Sequence, residues 1–362
     1  MRSGAIRLER ASFWYIVMSD MKLSIGIVGL PNVGKSTLFH LITKQNITIA
    51  NYPFATIDPN VGVVTVPDER LEKLNQLSNS KKKIPAVVEF FDIAGLVKGA
   101  NKGEGLGNAF LDDIQLTQAI VMVVRAFENP DIIHVDNSVD PIRDIDIINL
   151  ELILKDLSAV DKRLVRVEAE ARAGKKEAVR DKEILLQLKK SLEDGILPVS
   201  DADLSHAIKS EPRLNDLRLL TMKRQLYLIN GKESDISKEL LEKIASLGAD
   251  YLVADLSSSE AESNGIPQLV KKAYHVLDLI SFFTTGEDET RAWTIERGTK
   301  APQASGVIHT DFESKFIRLE VVPTDKLLEA GGWSKAKQKG WLRVEGKEYV
   351  VADGDVVEVR HG

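Results

Sequence analysis

Eight consecutive residues constrain this chain more than anything else in it. Gly29-Leu30-Pro31-Asn32-Val33-Gly34-Lys35-Ser36 fits the pattern G-x-x-x-x-G-K-[ST] in full. The flanks fit as well, because Leu23–Val28 reads as a buried strand and Leu38, Phe39, Leu41 and Ile42 mark a helix from Thr37 onward. Glycines let such a backbone curl until successive N–H groups point inward at phosphate oxygens, and the following helix adds its positive end. The pattern therefore assigns Asn32, Val33, Gly34, Lys35, Ser36 and Thr37 to a phosphate cradle. Lys35 is the catalytic cation for the β- and γ-phosphates, and the Ser36 hydroxyl is a Mg²⁺ ligand.

A phosphate loop of this type needs a sheet behind it. Apolar, β-branched runs recur at Leu23–Val28, Val87–Phe91, Ala119–Val124, Leu226–Ile229 and Tyr251–Ala254, with helical patterns filling most gaps. That alternation predicts an α/β doubly wound sheet with its ligand at the carboxyl ends of the strands. A sixth run, Val61–Val66, precedes Val87 with no convincing long helix between, so the two are expected to pair antiparallel. At 362 residues more than one core is expected. Residues 151–194 are proline-free and dense in both charges, with Leu152, Leu157, Val160, Leu164, Val167, Ile184, Leu185, Leu188 and Leu192 at three- and four-residue steps. With a turn at Ala173–Gly174, they predict an antiparallel helical hairpin. From about Ser281 short alternating segments (Trp293–Ile295, Phe316–Glu320, Tyr349–Val351, Val356–Arg360) predict a compact strand-rich domain.

Composition narrows the class further. The chain has no cysteine, which excludes disulfides and thiolate metal sites and suits a reducing compartment; the expectation is a cytoplasmic protein. Net charge of −6 argues against a uniformly basic nucleic-acid coat. No apolar run is long enough for a membrane span. Arg2, Arg7 and Arg10 before Phe13–Val17 imitate a signal peptide, but the run is too short and lacks a cleavage site. Residues 1–20 are read as an extension foreign to the native protein or as a disordered tail, with Met21 or Met18 the expected start.

Further motifs surround the phosphate loop. Asp92-Ile93-Ala94-Gly95 follows an apolar strand; its carboxylate is placed to hold Mg²⁺ through water and the Gly95 N–H to meet the γ-phosphate. Thr56, in a turn-rich loop between the motifs, is expected to complete the Mg²⁺ shell as a first switch. The glycine-dense stretch Gly95–Gly107 is the expected second switch. The position after D-x-x-G, where relatives of this architecture carry a water-orienting glutamine, is Leu96. Intrinsic hydrolysis is therefore expected to be slow unless another group orients water, and His134 is the candidate. Asn32 offers an amide oxygen to a monovalent cation such as K⁺. The base is expected to meet Asn230-Gly231-Lys232-Glu233, where a guanine reader would be N-K-x-D. Asn230 can reach N7, Gly231 and Glu233 are counted with it as nucleotide-binding positions, and Ser257 and Ser258 in the next loop are placed to bound the purine. Without well-placed acceptors for guanine's donors, ATP is expected over GTP.

Several stretches resemble one family, the YchF or Obg-like ATPase branch of the translation-factor P-loop NTPases. They are GLPNVGKSTLF at 29–39, NYPFATIDPNVGVV at 51–64, FDIAGLVKGANKGEGLGNAFL at 91–111, the N-x-x-E at Asn230–Glu233, RAWTIERGTKAPQASGVIHTDFESKFIR at 291–318 and DGDVVEVR at 353–360. The resemblance implies a G-domain over residues 21–150 and 205–280, a coiled-coil insertion over 151–204 and a ubiquitin-like β-grasp TGS domain over 281–362. It also implies a monomeric Mg²⁺-dependent ATPase that associates with ribosomes, with the large subunit as the expected contact. The runner-up readings are a GTPase of the same build and a nucleotide-gated ribosome- or RNA-binding protein with negligible turnover. Trp333, Lys335, Lys337, Lys339, Trp341 and Arg343 interleave aromatic and basic groups, as an RNA surface would.

Overall fold

The computed structural model describes residues 23–44, 60–93, 108–130 and 138–362. Its strands, in chain order, are β1 (Leu23–Val28), β2 (Val61–Thr65), β3 (Lys82–Ile84), β4 (Val87–Asp92), β5 (Ala119–Arg125), β6 (Arg224–Asn230), β7 (Asp250–Ala254), β8 (Leu279–Thr285), β9 (Glu289–Glu296), β10 (Phe316–Pro323), β11 (Arg343–Glu345) and β12 (Asp355–His361). The helices are α1 (Lys35–Lys44), α2 (Glu69–Ser78), α3 (Asn108–Gln115), α4 (Pro141–Arg172), α5 (Lys176–Glu193), α6 (Ala202–Ser210), α7 (Pro212–Asn215), α8 (Lys238–Ser246), α9 (Ile266–Val276), α10 (Ala301–Ile308), α11 (Thr310–Ser314), α12 (Thr324–Ala330) and α13 (Trp333–Gln338). No helix among the described residues is long and apolar enough to cross a membrane.

The first sheet has the order β2-β4-β1-β5-β6-β7. Every pairing in it is parallel except that of β2 with β4, which is antiparallel. β5 is buried along its whole length, which accounts for its unbroken apolar sequence. Because β1 lies centrally, the loop after it opens at the carboxyl edge of the sheet beside the ends of β4, β5, β6 and β7. This is the P-loop NTPase G-domain fold with further helical and sheet regions attached.

The expectation of no long helix between β2 and β4 fails. α2 occupies that gap, started by Asp68, whose carboxylate accepts from the Arg70 N–H. Only Leu71 and Leu74 of that helix are buried, so its apolar stripe is too thin to stand out in sequence. After it, β3 leaves the first sheet and joins the second.

The second sheet has the order β11-β10-β12-β8-β9-β3, with β3 parallel to β9. Its outermost strand therefore comes from the chain segment between β2 and β4. Arg70 strengthens this seam by binding Asp68 and Asp353, and Asp353 in turn accepts from the Ser281 N–H. The expected strand Tyr349–Val351 is reduced to a single bridge, Lys300 with Val350.

The helical hairpin is longer than its sequence pattern. α4 begins at Pro141, with the Asp140 carboxylate accepting from Arg143 N–H and proline at the first turn, where no intrahelical donor is lost. Gly174, at φ 81°, turns the chain into α5. Val160, Leu164 and Val167 pack against Ala178, Ile184, Leu185, Leu188 and Leu192 in a core of their own. Leu152, nearer the base, belongs to the core of the main sheet instead.

Candidate functional site

The segment after β1 is shaped by backbone conformations that few residues adopt. Asn32 sits at φ 63° and Gly34 at φ 110°. A Cβ on Gly34 would lie 2.4 Å from the Asn230 amide nitrogen and 3.2 Å from Leu256 Cδ1, so only glycine lets the loop close on its neighbours. The ring of contacts is completed by Asn230, which is buried at the end of β6. Its Nδ2 donates to the Val33 carbonyl at 2.9 Å, and its Oδ1 accepts from the Leu256 N–H at 3.1 Å. One side chain thus joins the loop after β1, the end of β6 and the loop after β7.

Lys35 opens α1, and its ammonium donates to the Leu30 carbonyl at 2.6 Å. Burial pushes its pKa down to about 8, against the opposing pull of the Asp92 carboxylate. A cation so desolvated is short of counter-charge, which a phosphate would supply. The sign of the pH dependence follows. Phosphate binds the protonated lysine and raises its pKa, so triphosphate affinity is full below about pH 8 and falls above it by up to about tenfold per unit. Fluorescence titration across that range checks this, and a Lys35→Arg chain, which keeps its charge, is expected to show no such decline.

Asp92 closes β4, where the Asp92 N–H donates to the Asn60 carbonyl at 3.0 Å. Its Oδ1 is buried and has no hydrogen-bond partner among the described residues. A buried, uncompensated carboxylate oxygen facing a desolvated lysine suits a divalent cation bridging protein and phosphate. No group of three or more His, Asp or Glu side chains that could hold a metal by itself occurs among the described residues. A metal here would therefore share its ligands with phosphate, as Ser36 and Asp92 allow.

Asn32, Gly34, Lys35, Ser36, Thr37, Asn230, Gly231 and Ser257 line one cleft of about 520 Å³; Val33 lies buried beneath it. Ser36 and Thr37 are exposed to it. Glu233 is not among its lining residues: it is exposed at the start of a 3₁₀ turn, and lines an adjacent cleft with Val253 and Ser258. The turn is pinned by Asp235, which accepts from the Lys232 N–H at 2.9 Å and lines the main cleft itself. Thr56, Gly95, Leu96 and His134 lie outside the described residues. A larger cleft of about 830 Å³ lies at the seam of the two sheets beside Arg70, Arg224 and Asp353, but contains no residue of the phosphate loop.

Five contributors to the main cleft escaped sequence reasoning: Phe127, Asn129, Asp235, Asp255 and Leu256. The first two are carried by Arg125, which is 1% exposed at the end of β5. Its guanidinium donates to the carbonyls of Phe127, at 3.0 Å, and Asn129, at 3.3 Å, and stacks 4.5 Å from the Phe127 ring. The available signal was an arginine closing an otherwise wholly apolar strand.

Comparison with known proteins agrees with this geometry. A family described as 50S ribosome-binding GTPase matches residues 24–165, and the YchF-GTPase C-terminal family, described as a protein of unknown function, matches residues 279–362. The chain is 46% identical to the ribosome-binding ATPase YchF of Bacillus subtilis (strain 168), an alignment covering 94% of this chain and 99% of that one. It is 44% identical to Obg-like ATPase 1 of Oryza sativa subsp. japonica, covering 92% and 91% respectively. The YchF GTPase structure from Schizosaccharomyces pombe superposes with a TM-score of 0.81 at 38% identity, covering 94% of this chain and 98% of that one. With nine-tenths of its length aligned to each of these relatives, the chain belongs to the YchF, or Obg-like ATPase, family of P-loop NTPases.

Proposed function

We propose that this chain is a Mg²⁺-dependent ATPase whose nucleotide cycle is read by the ribosome. The observation that carries the reading is the pairing of a desolvated Lys35 with the orphaned Asp92 oxygen at the mouth of an intact phosphate loop. Lys35 neutralises charge on the β- and γ-phosphates, and loop N–H groups around Gly34 orient them. Ser36 and Asp92 hold Mg²⁺, with Thr56 completing the shell; the bound ion supplies further screening of the phosphate charge. Gly95 N–H meets the γ-phosphate. Leu96 has no group to orient water, so intrinsic turnover is slow; His134 takes that role, and K⁺ at Asn32 assists.

Ribosome association is supported by the names of the relatives, one of them a ribosome-binding ATPase. In this reading the α4–α5 pair is a coiled-coil insertion, the segment from 281 to 362 is a TGS domain, and the protein is a cytoplasmic monomer docking on the large subunit. RNA phosphates meet the corner formed by α13 and β11. There Lys335, Lys337 and Lys339 are exposed, while Trp333 and Trp341 pack partly into the core. The Trp341 ring is flanked by Lys339 at 4.3 Å and Lys326 at 4.8 Å, so it serves as a rigid base for positive charge.

The test is calorimetric binding of ATP and GTP analogues with and without Mg²⁺, followed by phosphate release with and without ribosomes. Tighter ATP binding, lost on chelation, and turnover raised by ribosomes are the expected results. Tighter GTP binding would recast the chain as a GTPase. Binding without turnover, even on ribosomes, would make it a nucleotide-gated binding protein.

A further inference from the structure

The loop after β7 offers a reader for the base that the N-x-x-E stretch does not. Asn230 is held rigidly, with one amide hydrogen on the Val33 carbonyl and its oxygen on Leu256 N–H. Its second amide hydrogen is the donor for purine N7, the acceptor that adenine and guanine share. The neighbouring atom on the same purine edge is the substituent at position 6, a carbonyl acceptor in guanine and an amino donor in adenine. What the protein offers beside Asn230 therefore decides which base fits.

The N–H after that of Leu256 belongs to Ser257, and it is already taken: it donates to Asp255 Oδ1 at 3.0 Å, and the Ser257 hydroxyl donates to the same oxygen at 2.5 Å. A donor suited to guanine O6 is thus consumed inside the loop. Asp255 lines the cleft together with Lys35 and Ser36, and no hydrogen bond among the described residues reaches its Oδ2. Glu233, the acid of the N-x-x-E stretch, stands off the cleft.

We propose that Asp255 reads position 6 of the base, its free carboxylate oxygen accepting from the adenine amino group and repelling the guanine carbonyl. This rests on the ATPase reading above. It replaces a passive preference, the absence of acceptors for guanine, with an active one. The two Ser257 hydrogen bonds and the Lys232 charge hold the carboxyl below the usual carboxylate range, so it is an acceptor throughout neutral pH.

Inosine triphosphate isolates position 6, because it carries the guanine carbonyl without the 2-amino group. Dissociation constants for ATP, GTP and inosine triphosphate are to be measured on the full chain and on Asp255→Ala and Asp255→Asn. The native chain is expected to favour ATP over inosine triphosphate. Asp255→Ala lowers that ratio by about tenfold or more, in part by freeing the Ser257 N–H for the 6-carbonyl. Asp255→Asn keeps the Ser257 contacts on its amide oxygen, turns the other position into a donor, and shifts the ratio further toward the 6-oxo nucleotides. Uniform weakening toward all three nucleotides, with the ratio unchanged, would show that Asp255 only shapes the loop and would overturn the proposal. A native chain that binds inosine triphosphate or GTP at least as tightly as ATP would instead overturn the ATPase reading on which it rests.

Discussion

Replacing Lys35 with alanine should lower phosphate release, with and without ribosomes, by at least about 100-fold and abolish measurable triphosphate binding, while the unfolding transition stays in place or rises. The rate estimate follows from the loss of a preorganised cation directed at developing phosphate charge. The stability expectation follows from the environment of the ammonium. It is desolvated, it leans on the Leu30 carbonyl, and its pKa sits near 8, so in the free protein its charge is held at a disadvantage. Function and stability are opposed at this residue. If the alanine chain instead unfolded more easily, Lys35 would be a structural cation of the Asp92 carboxylate, and the phosphate assignment would lose its main support.

The second large effect is expected far from the cleft. Asp156 lies on α4 at the base of the hairpin, 1% exposed. Its carboxylate accepts from Leu220 N–H at 3.0 Å, and from Thr221 N–H and the Thr221 hydroxyl, both at 2.7 Å. These groups form the 3₁₀ turn that leads into β6, so one side chain fastens the hairpin to the strand that carries Asn230. Asp156→Ala leaves two backbone donors buried without partners. That costs about 2–4 kcal/mol, after allowing for relief of the desolvation that raises the carboxyl's own pKa. Denaturant unfolding should show the loss, and amide exchange should quicken first at residues 219–223. Asp156→Asn, which keeps an acceptor, should lose less than half as much. A change below about 0.5 kcal/mol would mean that apolar packing of Leu219 and Leu220 holds the turn without the carboxylate.

The phosphate end of the cleft was legible because local sequence builds it. A loop that must curl, a lysine and a hydroxyl at the next helix start are contiguous in the chain. The base end was not legible, because it is assembled from β5, β6 and β7, which lie about 100 and 25 residues apart in sequence. Asp255 has no motif around it and acquires its role only from the Ser257 contacts and from Asn230 beside it. Glu233 looked like a base reader because it occupies the last place of N-x-x-E. The Asp235–Lys232 contact closes a turn that leaves it outside the cleft.

By itself the sequence determined those features whose cause is local. These are the five parallel strands, whose apolar, β-branched runs suit a sheet covered by helices, the hairpin, whose two helices repeat their apolar residues every turn, and the phosphate loop. Only the tertiary structure decided which sheet β3 would join, since three residues, two of them exposed lysines, carry no directional signal. It also decided that Arg125 would be buried to carry the Phe127 loop, and that Asp255 rather than Glu233 would face the cleft. The β3–β9 pairing and the Asn230 bridge to Val33 and Leu256 join segments distant in the chain, and local residue patterns do not encode such contacts.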